Sequence, residues 1–331
     1  MGADRLPDPR RSATAEQVPT VPTSATMSAD SSMPPLVAGV ELGGTKAVAV
    51  LARESEIIER RRIPTGDPPP TLEALSRQLA TWAGEGQQFA AIGIGSFGPV
   101  GLDRQRADYG YVTTTPKPGW ANTEVRGHFA ERFDVPIGFD NDVNGAALAE
   151  VRWGAAEGCA VAVYLTIGTG VGGGVVVDGR SLHGLVHPEH GHFRIRRRAD
   201  DDFAGVCPYH GDCIEGLTSG PAIAARAGAP AEALGPDHPV WMDVANELGE
   251  LMGTIVLALS PHRIVVGGGV GCGQRWLLPR IREATLAGLA GYVAAVDAAS
   301  VESLIVPAGL QDDAGPLGAV AIGLDVLERR E

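Results

Sequence analysis

The chain has 331 residues, of which 44% are apolar and 20% charged, enough for two globular domains of ordinary composition. A net charge of −13 repels phosphate backbones and argues against nucleic acid as a partner. Four cysteines are too few for a disulfide framework, and no apolar run approaches the roughly 20 residues of a membrane span, so a reducing, cytoplasmic setting without a membrane partner is expected.

Residues 1–35 are rich in Pro, Ser, Thr, Asp and Arg and lack aliphatic periodicity, which predicts a disordered leader. Order begins at Leu36. Leu36–Val40 and Ala47–Leu51 are strand-like and flank a glycine turn, and Ile57–Ile63 reads as a third strand. Thr71–Ala83 has helical spacing, with Leu72, Leu75, Leu79 and Trp82 on one face. Phe89–Ile94 is a short buried strand, Thr123–Phe133 a helix, Val135–Phe139 a strand and Val143–Trp153 a helix. The pattern then restarts. Ala160–Leu165 is a strand, Thr166–Gly174 a glycine turn and Val175–Val177 the return strand. Such repetition predicts two related lobes facing a cleft. A strand at Arg263–Val266, a helix near Trp276–Leu289, a strand at Leu304–Val306 and a last helix from about Leu317 complete an α/β pattern with mixed sheets.

Three glycine clusters suggest a nucleotide site. In the first, Gly43, Gly44, Thr45 and Lys46 let backbone N–H groups, a hydroxyl and an ammonium face a phosphate. The second is the Thr166–Gly174 turn. The third, Gly267, Gly268 and Gly269, follows a strand directly, where ligands of α/β sheets bind. There is no GxxxxGK[ST] pattern, so this is not a P-loop protein.

Asp140-Asn141-Asp142-Val143-Asn144 lies between a strand and a helix. One of these residues is needed as a helix cap, and Asp140 suffices for that. A helix N-terminus favours an ionised carboxylate, so Asp142 can accept the proton of a hydroxyl attacking the γ-phosphate, with Asn141 and Asn144 orienting the acceptor.

Cys207-Pro-Tyr-His210-Gly-Asp-Cys213 has the spacing of a tetrahedral zinc site. The fourth ligand comes from His187-Pro-Glu-His-Gly-His192, with His192 preferred over His187 and His190. No open coordination position is implied, so the zinc would be structural and would hold Glu215 in place.

Together these elements resemble the ROK kinases (repressor, open reading frame, kinase) over about residues 36–328. Glu41-Leu-Gly-Gly-Thr-Lys46, Gly95-Ser-Phe-Gly-Pro99, Thr115-Pro-Lys-Pro-Gly-Trp120 and the two Cys/His segments are similar to its bacterial fructokinase branch. The resemblance implies a two-lobed actin- and hexokinase-like (ribonuclease H-like) α/β fold with a duplicated βα domain and a zinc-binding loop at 187–215. The lobes would be 36–140 and 141–331, the last helix packing back on the first lobe. It implies an ATP- and Mg²⁺-dependent kinase acting on the 6-hydroxyl of fructose, with glucose, mannose or N-acetylmannosamine as alternatives, and a homodimer. Asp142 would be the general base. Gly98, Asn141, Glu189, His192 and Glu215 would contact the sugar, and Pro118, Gly119 and Trp120 would lie near its mouth. Thr45, Lys46, Thr169, Gly170 and Gly267–Gly269 would line the nucleotide site. His192, Cys207, His210 and Cys213 would bind zinc. Two departures stand out. Glu41 replaces the Asp found in many relatives and would meet Mg²⁺ through water, and His210 replaces one Cys of the commoner CxCxxxxC loop. A sugar-responsive repressor is disfavoured, because the 35 leading residues hold no helix-turn-helix.

Overall fold

The structure, a computed structural model, describes residues 33–329. The expected leader lies outside them, apart from Met33–Pro35.

Two five-stranded sheets share one topology. The first is ordered β3-β2-β1-β4-β7, from β1 (Leu36–Leu42), β2 (Lys46–Arg53), β3 (Glu56–Pro64), β4 (Ala91–Ser96) and β7 (Ile137–Asn141); β5 (Tyr111–Val112) and β6 (Thr123–Glu124) pair apart from it. The second is ordered β10-β9-β8-β11-β12, from β8 (Val161–Ile167), β9 (Val171–Val177), β10 (Arg180–Ser181), β11 (Arg263–Gly267) and β12 (Ile305–Pro307). In each, an antiparallel meander joins two parallel strands, as the repeated strand–turn–strand pattern predicts.

Residue type decides where each strand sits. β1 and β2 are apolar on both faces and central. β3 carries Glu59-Arg-Arg-Arg62 and is an exposed edge, where charge discourages pairing with another chain. One face of the first sheet packs Val40, Ile92 and Ile94 against Leu72, Leu75 and Leu79 of α1 (Pro68–Gly84). Each fully buried leucine contributes about 1.5–3 kcal/mol.

The other faces of both sheets meet the same two helices, α3 (Asp142–Trp153) and α10 (Ala314–Glu328), which lie between them. α10 covers Val37, Val48 and Val50 with Val320 and Leu324, while Ala321 and Ile322 join Tyr164 and Val265 of the second sheet. The far face of the second sheet is closed by α5 (Gly220–Ala227), α6 (Val240–Leu259) and α8 (Leu278–Leu289) around Trp241. Short helices α2 (Arg126–Ala130), α4 (Ile214–Thr218), α7 (Gly268–Gly273) and α9 (Val301–Leu304) complete the chain.

Three departures from expectation stand out, beside several short elements that the sequence did not announce. The helix expected over Thr123–Phe133 is cut to α2, because Thr123 and Glu124 pair with Val112 and Tyr111. α6 was not expected; it carries Gly249, where a Cβ would collide with Ala284 of α8. The turn expected over Thr166–Gly174 is only Gly168–Gly170, and Gly172–Gly174 already belong to β9. Those glycines serve packing: a Cβ at Gly174 would lie 2.6 Å from the Val143 carbonyl carbon.

Candidate active site

The parallel register aligns Glu41, Gly95 and Asp140 across β1, β4 and β7, with Leu42, Ser96 and Asn141 as the next row. The segments leaving this carboxyl edge are the 43–46 turn, the Phe97–Val100 turn and the start of α3. Ligands of α/β sheets bind at such an edge.

Asn141, rather than Asp140, caps α3, its side-chain oxygen accepting Val143 N–H at 2.9 Å and Asn144 N–H at 3.2 Å. Asp140 stays in the strand. Its Oδ1 accepts Asn141 N–H at 2.7 Å and Asn144 Nδ2 at 2.8 Å, and its Oδ2 meets His183 Nε2 at 2.9 Å. Asp142 is thereby left as the first helical residue. Burial, with a smaller push from Asp140, raises its carboxyl to about 6, while Val143 N–H opposes the rise.

Two further carboxylates answer to this group, and a third stands beside one of them. Burial first, then the charge of Asp142, lifts Glu41 to about 7, against Lys46, Arg60 and Arg62. Burial, Asp142 and then Glu215 lift Glu189 to about 7. Glu215 Oε2 accepts Val171 N–H at 3.1 Å, so it is tied to the Gly168–Gly170 turn. A cluster of this kind offers acceptors to the hydroxyls of a polyol.

The 43–46 turn is closed by Gly43 N–H to Lys46 O at 3.1 Å. Thr65 braces it, its N–H donating to Thr45 O at 3.0 Å and its hydroxyl to Gly43 O at 2.8 Å. Gly44, Thr45 and Lys46 are exposed. On the second sheet, Thr169 is exposed and a Cβ at Gly168 would stand 3.5 Å from Gly269 N, so the second and third glycine clusters adjoin. Gly268 has φ +79°, and a Cβ there would come within 2.5 Å of Ile167 N, so glycine is a backbone requirement; Gly269 faces open space. Of the Thr115–Trp120 loop, Trp120 is fully buried, stacks edge-on to Phe97 at 5.2 Å and donates Nε1–H to Gly66 O at 2.9 Å. It props the turn carrying Gly98 from behind.

His192, Cys207, His210 and Cys213 bring one ligand atom each within 4.8 Å of one another. Cys213 Sγ is 3.5 Å and Cys207 Sγ 3.8 Å from His192 Nδ1, and Cys207 Sγ is 3.8 Å from His210 Nδ1. Donors on the edges of a tetrahedron around zinc stand roughly 3.5 Å apart, so the donor set fits that ion. The competing histidines lie elsewhere. His190 Nδ1 donates to Gly173 O at 3.3 Å, and His187 packs against Val100.

Thr65 and His183 escaped sequence reasoning, because each acts through a contact distant in sequence. Thr65 follows Ile63-Pro64 with no local pattern, and only the hairpin register brings it under the 43–46 turn. No helix among the described residues is long and apolar enough to cross a membrane.

The fructokinase of Zymomonas mobilis subsp. mobilis is 44% identical over 296 residues, covering 86% of this chain and 95% of that protein. The fructokinase of Pediococcus pentosaceus is 38% identical over 294 residues, covering 88% and 99%. The crystal structure of a ROK family glucokinase from Streptomyces griseus in complex with glucose and AMPPNP superposes with a TM-score of 0.67 at 26% identity, covering 88% of this chain and 99% of that one. The ROK family model matches residues 37–326, and with its two like sheets this chain belongs to the ROK family, on that family's two-lobed hexokinase-like fold.

Proposed function

We propose that the chain is an ATP-dependent fructokinase that transfers the γ-phosphate to the 6-hydroxyl of fructose. The observation that carries the chemistry is Asp142, fixed at the start of α3 among Glu41, Glu189 and Glu215. Fructose itself rests on the names of the two relatives at 44% and 38% identity.

Asn141 secures the helix start, so Asp142 is held in one place to accept the proton of the attacking hydroxyl. Asn141, Glu189, His192, Glu215 and the Gly98 backbone form the sugar side. Glu215, tied to Val171, couples that side to the Gly168–Gly170 turn. Gly43–Lys46, Thr169, Gly170 and Gly267–Gly269 line the nucleotide site, where free backbone N–H groups and the Thr45 and Lys46 side chains face the phosphates. Glu41 would face the Mg²⁺ that accompanies ATP, which would neutralise phosphate charge. Closing the cleft excludes water and aligns the hydroxyl with the phosphate.

His192, Cys207, His210 and Cys213 would hold zinc, which would fix the loop that ends in Glu215. Family resemblance extends the proposal to a cytoplasmic homodimer, and light scattering of the purified chain tests the dimer.

Release of ADP with ATP–Mg²⁺ should be measured over fructose, mannose, glucose and N-acetylmannosamine. Preferred turnover of fructose, lost in Asp142→Ala, is expected. Preference for another sugar corrects the substrate, and turnover of none overturns the kinase.

A further inference from the structure

His187 is among the most enclosed polar side chains of the cleft, with 1% of the side chain exposed. Its Nε2 lies 3.3 Å from Val100 N. A backbone N–H can only donate, so Nε2 accepts and the proton of the neutral ring sits on Nδ1. That Nδ1 has no hydrogen-bond partner among the described residues. Glu189 Oε1 lies 3.5 Å from it, and the Glu189 side chain remains 36% exposed. A buried donor without a partner costs about 1–3 kcal/mol, so a residue chosen only to fill space would be apolar. Hydrogen bonds at such sites are often long before the ligand binds and shorten afterwards.

The ring also has a made seat. A Cβ at Gly98 would come within 3.1 Å of His187 Nε2. Four residues earlier, His183 is fastened to Asp140 at 2.9 Å. The 183–189 segment leaves the second sheet, yet both histidines anchor it to the carboxyl edge of the first.

We infer that His187 is a positioning residue, which aims the Glu189 carboxylate at the sugar and ties its place to the Gly98–Val100 turn of the opposite lobe. This rests on the sugar-site reading above. Glu189 would otherwise swing on an irregular segment, and the strut makes sugar contact depend on how the lobes are set.

The test is a double-mutant cycle in the full-length, zinc-loaded protein, with KM for fructose and for ATP measured in His187→Phe, His187→Gln, Glu189→Gln and the His187→Phe/Glu189→Gln pair. His187→Phe fills the seat without either polar bond. It is expected to raise the fructose KM about tenfold and leave the ATP KM within about twofold. His187→Gln, which keeps a donor and an acceptor, should recover most of the loss. The pair should be no worse than Glu189→Gln alone. Additive effects, or a parallel rise of both KM values with a lower Tm, overturn the inference while the sugar site stands. An unchanged fructose KM in Glu189→Gln overturns the sugar-site reading and the inference with it. If His187→Phe does not fold, His187→Leu, which carries no polar atom, takes its place in the cycle.

Discussion

Gly145 of α3 and Gly318 of α10 touch backbone to backbone: a Cβ at Gly318 would stand 2.7 Å from the Gly145 carbonyl oxygen. The two helices that separate the lobes therefore cross with no side chain between them. Two sets stand out among the glycines of this chain. Some let backbones meet, and others face open space beside the cleft, as Gly44 and Gly269 do.

The two sets should respond oppositely to a methyl group. Gly318→Ala is expected to destabilise the fold by about 1–3 kcal/mol or more, through overpacking. Gly44→Ala should leave the denaturant midpoint unchanged and raise the KM for ATP. Unfolding curves and steady-state kinetics on the same two variants check both halves.

Asp142→Asn should cut kcat by about 10²-fold or more. The same variant is expected to be more stable than the parent at pH 8. An acid whose carboxyl rises from 3.8 to about 6 on folding penalises the folded state wherever it is ionised. That penalty is absent below pH 4, grows through pH 4–6 and is complete above it, amounting to about 1–3 kcal/mol. Stability of the variant minus that of the parent, followed from pH 4 to 8, should rise over that window. The parent kcat should fall as pH drops through about 6, since Asp142 must be ionised to accept a proton.

Removing one zinc ligand should remove the ion. Cys213→Ala is expected to abolish bound zinc, read by elemental analysis, and to lower Tm by roughly 3–5 °C, the shift that about 2–3 kcal/mol produces in a chain of this size. His190→Ala, outside the donor set, should keep its zinc.

Glu150 is fully buried, and its carboxylate accepts Ala155 N–H at 2.7 Å, Leu310 N–H at 3.0 Å and Gly309 N–H at 3.1 Å. It joins the end of α3 to the turn before α10. Glu150→Leu strands three backbone donors and should cost about 3–5 kcal/mol, seen as a lower urea midpoint, with the fructose KM unchanged.

Strands with strong apolar character and compact motifs could be read from the sequence. β1, β2, β8 and β11 carry their own pattern, and Cys207, His210 and Cys213 announce a donor set by spacing alone. Long-range contacts could not be read. Gly172–Gly174 look like more of a phosphate loop until Val143 and Asn144 are seen packed on them. Trp120 looks like a residue of the mouth until its indole is found donating to Gly66. Thr123 and Glu124 have helical neighbours, yet pairing with Tyr111 and Val112 overrides them. His187 is one of three similar histidines in a row, and only its contact with Val100 separates it from a metal ligand.

The return of α10 to the first sheet has a consequence for synthesis. β1 and β2 emerge early from the ribosome, but Val37, Val48 and Val50 are covered by Val320 and Leu324. At about 5–20 residues per second, the intervening chain takes roughly fifteen seconds to a minute to make. Through that interval the first lobe is a nascent chain with one apolar face bare, open to chaperones. It can close only when the last helix is released.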